Sequence, residues 1–180
     1  GRATHSRPPW LREDTLAITA DQVKKLRERT GAGIMDCRRA LEETGGDEDR
    51  AAELLRQQGL ERAEKKAGRE TRQGLIEAYV HAGGRIGAMV ELNCETDFVA
   101  RNPQFRELAH EIAMQVAAMN PSRVGDEPGP DGAPSGEEAL LEQAYIRDPS
   151  KTIRDLVRSA IATFGENITI RRFARFELGG

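Results

Sequence analysis

The sequence contains few of the residues that form metal sites and nucleophilic catalytic sites. Among its 180 residues there are 2 cysteines and 3 histidines. Cys37 and Cys94 are too distant in sequence to form a Cys-x-x-Cys pair, and the histidines are scattered singly, so no zinc site is expected. Isolated thiols are usually small buried hydrophobic residues, and neither cysteine is predicted to act as a nucleophile.

Long apolar runs and an excess of one charge are also absent from the sequence. The chain has 27 basic and 30 acidic side chains and a net charge of −3, whereas general binders of nucleic acid or acidic membranes are usually more basic. No apolar run approaches the roughly 20 residues that span a bilayer, and the first residues lack the apolar segment of a secretion signal. We therefore expect a soluble protein that is not secreted and binds neither membranes nor nucleic acid.

Sequence motifs of the common enzyme classes are missing as well. There is no Gly-x-Ser-x-Gly, Gly-x-x-x-x-Gly-Lys-Ser/Thr, His-Glu-x-x-His or Gly-x-Gly-x-x-Gly motif. Gly31 and Gly33 lack a following Lys-Ser/Thr, so they indicate a turn and not a phosphate site. Glu91, Glu95 and Asp97 crowd carboxylates together, but no His or Lys in that segment could act with them, which favours a solvated acidic loop. We expect neither enzyme activity nor a cofactor.

The N-terminal part of the chain is predicted to be a three-helix module over residues 17–59, after a flexible extension over residues 1–16. Thr19 and Gln22 have the spacing of a capping box, which predicts the start of the first helix. Glycine-containing breaks separate the three helices, and the last helix is predicted to stop at Gly59. The second helix has one predicted apolar face, made by Ile34, Cys37, Ala40 and Leu41. So small a core is marginal alone, and we expect the module to dock on a partner or on the rest of the chain.

The remainder is predicted to be a charged connector and a core domain. Residues 60–73 are almost all charged or small, and they predict a solvated helical connector without a core-forming face. The core domain, residues 74–180, opens with a β-hairpin, because apolar and polar residues alternate on both sides of a glycine-containing loop. Residues 125–136 are rich in Gly and Pro and predict a flexible loop that is dispensable for folding.

Two helices of the core domain have clear start signals in the sequence. Asn102 followed by Pro103 begins the first, and Thr152 with Asp155 begins the second, whose predicted stop is Gly165. Strands that bracket such helices without βαβ alternation predict an α+β fold with an antiparallel sheet.

The last strand has apolar side chains on both of its faces. Five of them share one parity: Ile168, Ile170, Ala174, Phe176 and Leu178. Arg172 interrupts this set, and Phe173 is predicted to face the opposite way. Such a mixture is typical of an edge strand or of a face that a partner covers, and it favours self-association.

The segment NCETDFVARN, residues 93–102, is unusual for a polar loop. Phe98 and Val99 lie in a polar connection between a predicted strand and a capped helix. Phe98 either packs inward on that helix or is presented to solvent for a partner, and the sequence leaves both arrangements open.

Several stretches closely resemble the elongation factor Ts family, the nucleotide exchange factors of elongation factor Tu. They are, in order, ITADQVKKLRERTGAGIMDCRRALEETGGDEDRAAELL, EKKAGRE, GRIGAMVELNCETDFVARN, LLEQAYIRDPSKT and GENITIRRFARFEL, and the TDFV run is highly specific. The resemblance covers residues 18–178. It implies an N-terminal three-helix module similar to a ubiquitin-associated domain, followed by an α+β core with a three-stranded antiparallel sheet.

The resemblance implies a guanine nucleotide exchange factor that performs no bond chemistry. Such a protein promotes GDP release from elongation factor Tu during translation elongation, in the bacterial cytoplasm or in an organelle matrix. Asp97 and Phe98 would press on the GTPase domain of that partner near its Mg²⁺ and phosphate site. The full set of implied partner-binding residues is Thr96, Asp97, Phe98, Val99, Arg27, Ile34 and Met35.

The resemblance also implies a homodimer. Short members of the family are dimers in which a second protomer replaces a core subdomain that longer members carry. The family often has Met-Met where this chain has Ile34 and Met35, a volume-conserving difference of small expected cost.

Two other classes of function are weighed against exchange. The three-helix module could be a ubiquitin-associated-like peptide-binding module without exchange activity, since Met35 and the loop before it resemble the exposed loop of such domains. That function would leave TDFV unexplained. Alternatively, Arg171, Arg172 and Arg175 could track nucleic-acid phosphates, but the near-neutral charge and the lack of a paired aromatic platform favour a solvated face.

Overall fold

The computed structural model of the chain describes residues 17–125 and 139–179. The predicted extension over residues 1–16 and nearly all of the predicted loop over residues 125–136 lie outside the described residues. The helices are α1 (Ala20–Thr30), α2 (Ile34–Glu43), α3 (Glu48–Lys66), α4 (Asp97–Ala100), α5 (Pro103–Met119) and α6 (Ile153–Phe164). The strands are β1 (Gln73–Val80), β2 (Ile86–Cys94), β3 (Ala144–Tyr145), β4 (Asp148–Thr152) and β5 (Ile168–Glu177).

The described residues form two compact units whose boundary, between Arg56 and Gln57, falls inside α3. In the first unit the predicted capping box of α1 is confirmed. The Gln22 backbone N–H donates to Thr19 Oγ1, and the Thr19 backbone N–H donates back to Gln22 Oε1 at 3.0 Å. The helices of this unit enclose a small apolar core made by Val23, Leu26, Cys37, Ala40, Leu41, Ala51 and Leu55.

Ile34 does not share the burial of the other residues on the predicted apolar face of α2. Cys37 and Leu41 are buried as expected, but Ile34 and Met35 are each more than half exposed. Ile34 is the first residue of α2, directly after the N-cap Gly33. A helical repeat identifies one side of a helix, but it does not show whether packing continues to the helix end. The first turn of α2 therefore presents two apolar side chains to solvent.

Helix α3 continues through Gly59, where the sequence predicts a stop, and ends at Lys66. Gly59 is buried, and a Cβ at that position would lie 3.2 Å from the Cβ of Ala162. This glycine therefore allows close approach to α6 and does not end the helix. Ala63, one turn further on, is buried in the core of the second unit, so the predicted connector does have a core-forming face.

The second unit is built on a three-stranded antiparallel sheet in the order β1-β2-β5. Helix α5 packs against one face of the sheet, and Asn102 caps it by accepting the Gln104 N–H, as predicted. The α+β fold with a three-stranded antiparallel sheet is thus confirmed. Strands β3 and β4 form a further two-stranded sheet, which the sequence analysis did not predict. Within residues 17–125 and 139–179, no helix is long and apolar enough to cross a membrane.

A bulge in β5 makes the predicted parity of the last strand wrong. Between two consecutive residues of β2 the pairing partner on β5 advances from Ile170 to Arg172, so Arg171 is an extra residue. One extra residue reverses which side chains face the core beyond it. Phe173 therefore packs against the core, whereas Phe176 is 71% exposed.

The sheet face opposite α5 is exposed and mostly apolar, with the Glu91–Arg172 ion pair as its charged row. Ala78, Met89 and Ala174 pair in a row across the three strands, and Phe176 lies in the next row of the same face. The large exposed apolar side chains of the sheet strands are Ile76, Val80, Met89 and Phe176, with Leu178 just beyond the end of β5. An apolar face of this kind is typical of an interaction surface.

Candidate functional site

The candidate site is the connection between β2 and α5. Strand β2 ends at Cys94, Thr96 is the N-cap of the four-residue helix α4, and Asn102 begins α5 shortly afterwards. The residues TDFV therefore form one short turn that a central strand and a long capped helix hold at its two ends. We call residues 95–101 the TDFV loop.

Phe98 points into solvent from this loop. Its side chain is 83% exposed, the largest exposure among the big apolar residues of the described chain. The two following residues, Val99 and Ala100, are half-buried and pack against the core of the second unit. Because these two residues hold α4 against the core, the side chain of the residue before them, Phe98, faces away from the core. The structure thus decides between the two arrangements that the sequence left open for Phe98.

The polar residues of the TDFV loop are bonded within the chain. Asp97 Oδ2 lies 2.9 Å from Arg101 Nη2, an ion pair across one helical turn. The Thr96 hydroxyl makes no cap bond to α4, and donates to Glu166 Oε1 at 2.5 Å. Of the four predicted partner-binding residues in the loop, Phe98 is therefore free in solvent, while Thr96, Asp97 and Val99 also have contacts that hold the loop in place.

Each of the three carboxylates has a partner, and the expected solvated acidic loop holds for Asp97, which is 47% exposed, but less well for Glu91 and Glu95, which are mostly shielded. Glu91 Oε2 accepts from Arg172 Nε at 2.7 Å, and this hydrogen bond lowers the pKa of Glu91 below its usual value. Glu95 Oε1 accepts the backbone N–H of Asn167 at 2.7 Å. The partners of Glu91 and Glu95 lie on or next to β5, which is remote in sequence.

The other predicted partner-binding residues lie in the first unit. Ile34 and Met35 are exposed in the first turn of α2, and Arg27 is exposed in the last turn of α1. The Arg27 carbonyl accepts the N–H of Gly31, which closes α1 in the left-handed conformation at φ 69°. A basic side chain and two apolar side chains thus flank the turn between α1 and α2.

Comparisons of the sequence with known proteins show which family the chain is similar to. A family model described as Elongation factor TS matches residues 48–130 and 95–180. The elongation factor Ts of Oleidesulfovibrio alaskensis is 51% identical over 91% of this chain and 98% of its own length. The chain belongs to the elongation factor Ts family. The elongation factors Ts of Caldanaerobacter subterraneus and Leptospira biflexa are 49% and 48% identical, over 90% and 92% of this chain and 97% and 100% of theirs.

As a member of the elongation factor Ts family, the chain is a translation elongation factor that takes part in protein biosynthesis. Both cysteines are buried, as predicted. Burial, together with the nearby Glu166 carboxylate, raises the pKa of the Cys94 thiol to about 11. Cys94 is therefore a protonated thiol at neutral pH, and it donates to the Thr96 carbonyl at 3.1 Å.

Glu166 is a residue of the site in this elongation factor Ts chain that was not predicted from the sequence. Its carboxylate contacts the TDFV loop at Glu95 and Thr96, 71 and 70 residues away in sequence. No local pattern indicates this contact. The signal that could have found it is the pairing of β2 with β5, which brings the residues just before β5 beside the end of β2.

Proposed function

We propose that this chain is the guanine nucleotide exchange factor of elongation factor Tu and promotes GDP release during translation elongation in the cytoplasm. The observation that carries the proposal is Phe98, an aromatic side chain held in solvent on a loop whose ends and neighbours are fixed. An exposed aromatic residue on an ordered loop is well suited to insert into a partner at low entropic cost. The family to which the chain belongs supports this assignment.

The mechanism needs no bond chemistry, only unequal binding to two states of the partner. A protein that binds nucleotide-free elongation factor Tu better than the GDP-bound form weakens GDP binding by the same factor. Phe98 acts as a wedge, because a packed interior shifts between discrete arrangements when an aromatic ring displaces its side chains. Asp97 then accepts a hydrogen bond from the displaced element and does not ligate the metal ion of the partner.

Arg27, Ile34 and Met35 provide a second contact in the proposed complex, on a helix of the same GTPase domain. Ile34 and Met35 offer exposed apolar area, and Arg27 adds a charge beside them. We assign these residues to affinity and the TDFV loop to the weakening of GDP binding. The two groups of residues belong to different units of the chain, and we propose that the module of residues 17–59 is the binding domain and residues 74–180 the exchange domain.

The proposed function predicts faster GDP release from elongation factor Tu when this chain is added. Coupling free energies between two binding sites usually change an affinity by about 5- to 150-fold, and we expect an acceleration in this range at saturation. Release of fluorescently labelled GDP, followed by stopped flow against excess unlabelled GDP, measures it. A release rate that does not change with the concentration of the chain would refute the proposed function.

A peptide-binding module without exchange activity is the alternative, and the exposure of Ile34 and Met35 is the observation in its favour. This alternative gives no role to the exposed Phe98. It would hold if the chain bound elongation factor Tu or a peptide with no change in GDP release. Nucleic-acid binding has less support, because Arg172 pairs with Glu91 and Arg175 Nε donates to the Ala117 carbonyl at 3.0 Å.

We also propose that the chain forms a homodimer through the exposed sheet face. One face of the β1-β2-β5 sheet covers the core, and the opposite face presents exposed apolar side chains that include Met89 and Phe176. Two such faces can pack on each other about 10 Å apart, as in β-sandwiches. A twofold axis would then place Phe176 of both copies in the same interface.

The chain is accordingly expected to sediment as a dimer at micromolar concentration, and Phe176→Glu is expected to sediment as a folded monomer. A buried carboxylate without a partner strongly disfavours the interface, whereas the free protein already exposes 71% of this side chain. Met119→Glu is the matched control, because Met119 is exposed at the end of α5, on the other side of the sheet. Wild-type protein that sediments as a monomer would exclude the proposed dimer.

A further inference from the structure

Two glutamates continue the ladder between β2 and β5 beyond its last backbone pair. The register ends with Cys94 opposite Ile168. Past this point the Glu95 carboxylate accepts the backbone N–H of Asn167 at 2.7 Å. In the other direction, Glu166 Oε2 accepts the backbone N–H groups of Glu95 at 3.1 Å and of Thr96 at 3.0 Å. Each strand extension thus binds the backbone of the other through a side chain. We call these bonds the glutamate clamp.

The helix end before β5 explains how Glu166 reaches the TDFV loop. Helix α6 stops at Gly165, which adopts the left-handed conformation with φ 74° and donates its N–H to the Ile161 carbonyl. This conformation reverses the chain direction, as in the common glycine ends of helices. Glu166 then lies beside the start of the TDFV loop, and its other oxygen, Oε1, accepts the Thr96 hydroxyl at 2.5 Å.

The glutamate clamp is also bound to the segment that precedes β1. The buried side chain of Asn167 donates from Nδ2 to the Arg69 carbonyl at 2.8 Å. The Arg69 guanidinium in turn lies 3.7 Å from Glu95 Oε1. The residues that hold the TDFV loop are therefore fixed to the segment that leads into β1, and the loop cannot shift without breaking several bonds at once.

We propose that Glu166 is a positioning residue for nucleotide exchange, which holds the TDFV loop so that Phe98 projects into solvent before the partner arrives. This inference rests on the proposed exchange function. A binding-competent loop conformation that is only partly populated lowers apparent affinity by its population, so ordering the loop in advance strengthens coupling. Glu166 suits this role because it bonds the two backbone N–H groups that precede Asp97 and Phe98.

The test compares Glu166→Ala, Glu166→Gln and Asp155→Ala in the GDP-release assay, each in the whole 180-residue chain. Glu166→Ala removes three hydrogen bonds to the loop, and we expect a roughly tenfold loss of stimulation. Glu166→Gln keeps an oxygen that can accept both backbone N–H groups, so it should recover most of the activity. Asp155 is the matched control, since its Oδ2 accepts Thr152 N and Thr152 Oγ1, both at 3.0 Å, at the opposite end of the same helix.

A double variant separates positioning from general destabilisation. If Glu166 acts through Phe98, adding Glu166→Ala to Phe98→Ala causes little further loss, because the group being positioned is already gone. Full additivity of the two losses would overturn the proposal. So would Glu166→Ala that stimulates GDP release like wild type, or Asp155→Ala that loses as much stimulation as Glu166→Ala.

Hydrogen exchange on the free chain tests the positioning role without the partner. We expect Glu166→Ala to speed amide exchange at Glu95, Thr96 and through α4, and Asp155→Ala to leave these amides unchanged. If wild-type chain fails to stimulate GDP release, the proposed function fails, while this measurement still shows whether Glu166 orders the loop. Unchanged exchange in the loop of Glu166→Ala would refute the positioning role whatever the GDP assay gives.

Discussion

Phe98→Ala is expected to fold normally and to stimulate GDP release from elongation factor Tu about 5- to 150-fold less than the wild-type chain does. The free protein exposes 83% of this side chain, so its truncation removes little intramolecular packing. Substitutions at such surface positions usually change the free energy of unfolding by no more than about 0.5 kcal/mol. The substitution instead removes the interaction with the partner, and a coupling energy of about 1 to 3 kcal/mol corresponds to the stated range.

Paired measurements on each variant decide this prediction: the unfolding midpoint of the free protein and the rate of GDP release in its presence. Asp97→Ala should show the same pattern more weakly, since one hydrogen bond to the partner is at stake. It also breaks the ion pair with Arg101, which is exposed and contributes little to folding. A lowered midpoint with exchange intact would assign Phe98 to stability and remove the support for a wedge.

Phe105→Ala should give the opposite result. Phe105 lies on the first turns of α5, is 0% exposed, and meets the Phe164 ring edge-on with ring centroids 6.0 Å apart. Truncating a buried phenylalanine typically costs about 3 to 5 kcal/mol, because it removes apolar burial and leaves a cavity. Chemical denaturation monitored by circular dichroism should show this loss as a lower midpoint with a similar slope.

The two phenylalanine variants are controls for each other, since the same truncation is made at two positions close in sequence. Phe105→Ala should retain stimulation of GDP release per folded molecule, under conditions where the protein is still mostly folded. If Phe105→Ala proved as stable as wild type, the described packing of α5 on the sheet would be contradicted. If Phe98→Ala proved the less stable of the two, the outward orientation of Phe98 would be contradicted.

Features that depend on neighbours in sequence were predicted correctly. The caps formed by Thr19 and by Thr152, the start of α5 at Asn102 and the end of α6 at Gly165 all agree with the structure. Each of these signals is made by residues within one helical turn of each other, so a short stretch of sequence contains the whole interaction. The hairpin followed from the same kind of local evidence, whereas the three strands of the sheet were implied by the resemblance to the family.

Features that depend on distant residues were missed or wrong. The sequence showed Phe98 in a loop, but whether its side chain faces the core or solvent depends on how Val99 and Ala100 pack on the core. Gly59 has the sequence pattern of a helix stop, and only the position of α6 beside it shows that this glycine allows close helix packing instead. The extra residue Arg171 in β5 has no signature of its own, because only the pairing with β2 defines it as a bulge.

The same limit applies to the candidate site. The TDFV residues were found through their resemblance to a family, whereas Glu166 could not be found from its local sequence. Its three bonds to the TDFV loop join residues 70 and 71 positions apart. Side-chain contacts of this kind depend on which residues of the two strands pair. Beyond the first residues of β5, the alternation in the sequence predicted the wrong face of the sheet for the side chains.

The affinity of the chain for elongation factor Tu in its nucleotide-free and GDP-bound forms is the most direct test of the exchange mechanism. Titration calorimetry with wild-type chain and Phe98→Ala provides both affinities for each protein. The mechanism predicts that wild type binds the nucleotide-free form more tightly, by the same factor by which it weakens GDP binding, and that Phe98→Ala narrows this difference. Equal affinity of the wild-type chain for the two forms would contradict it.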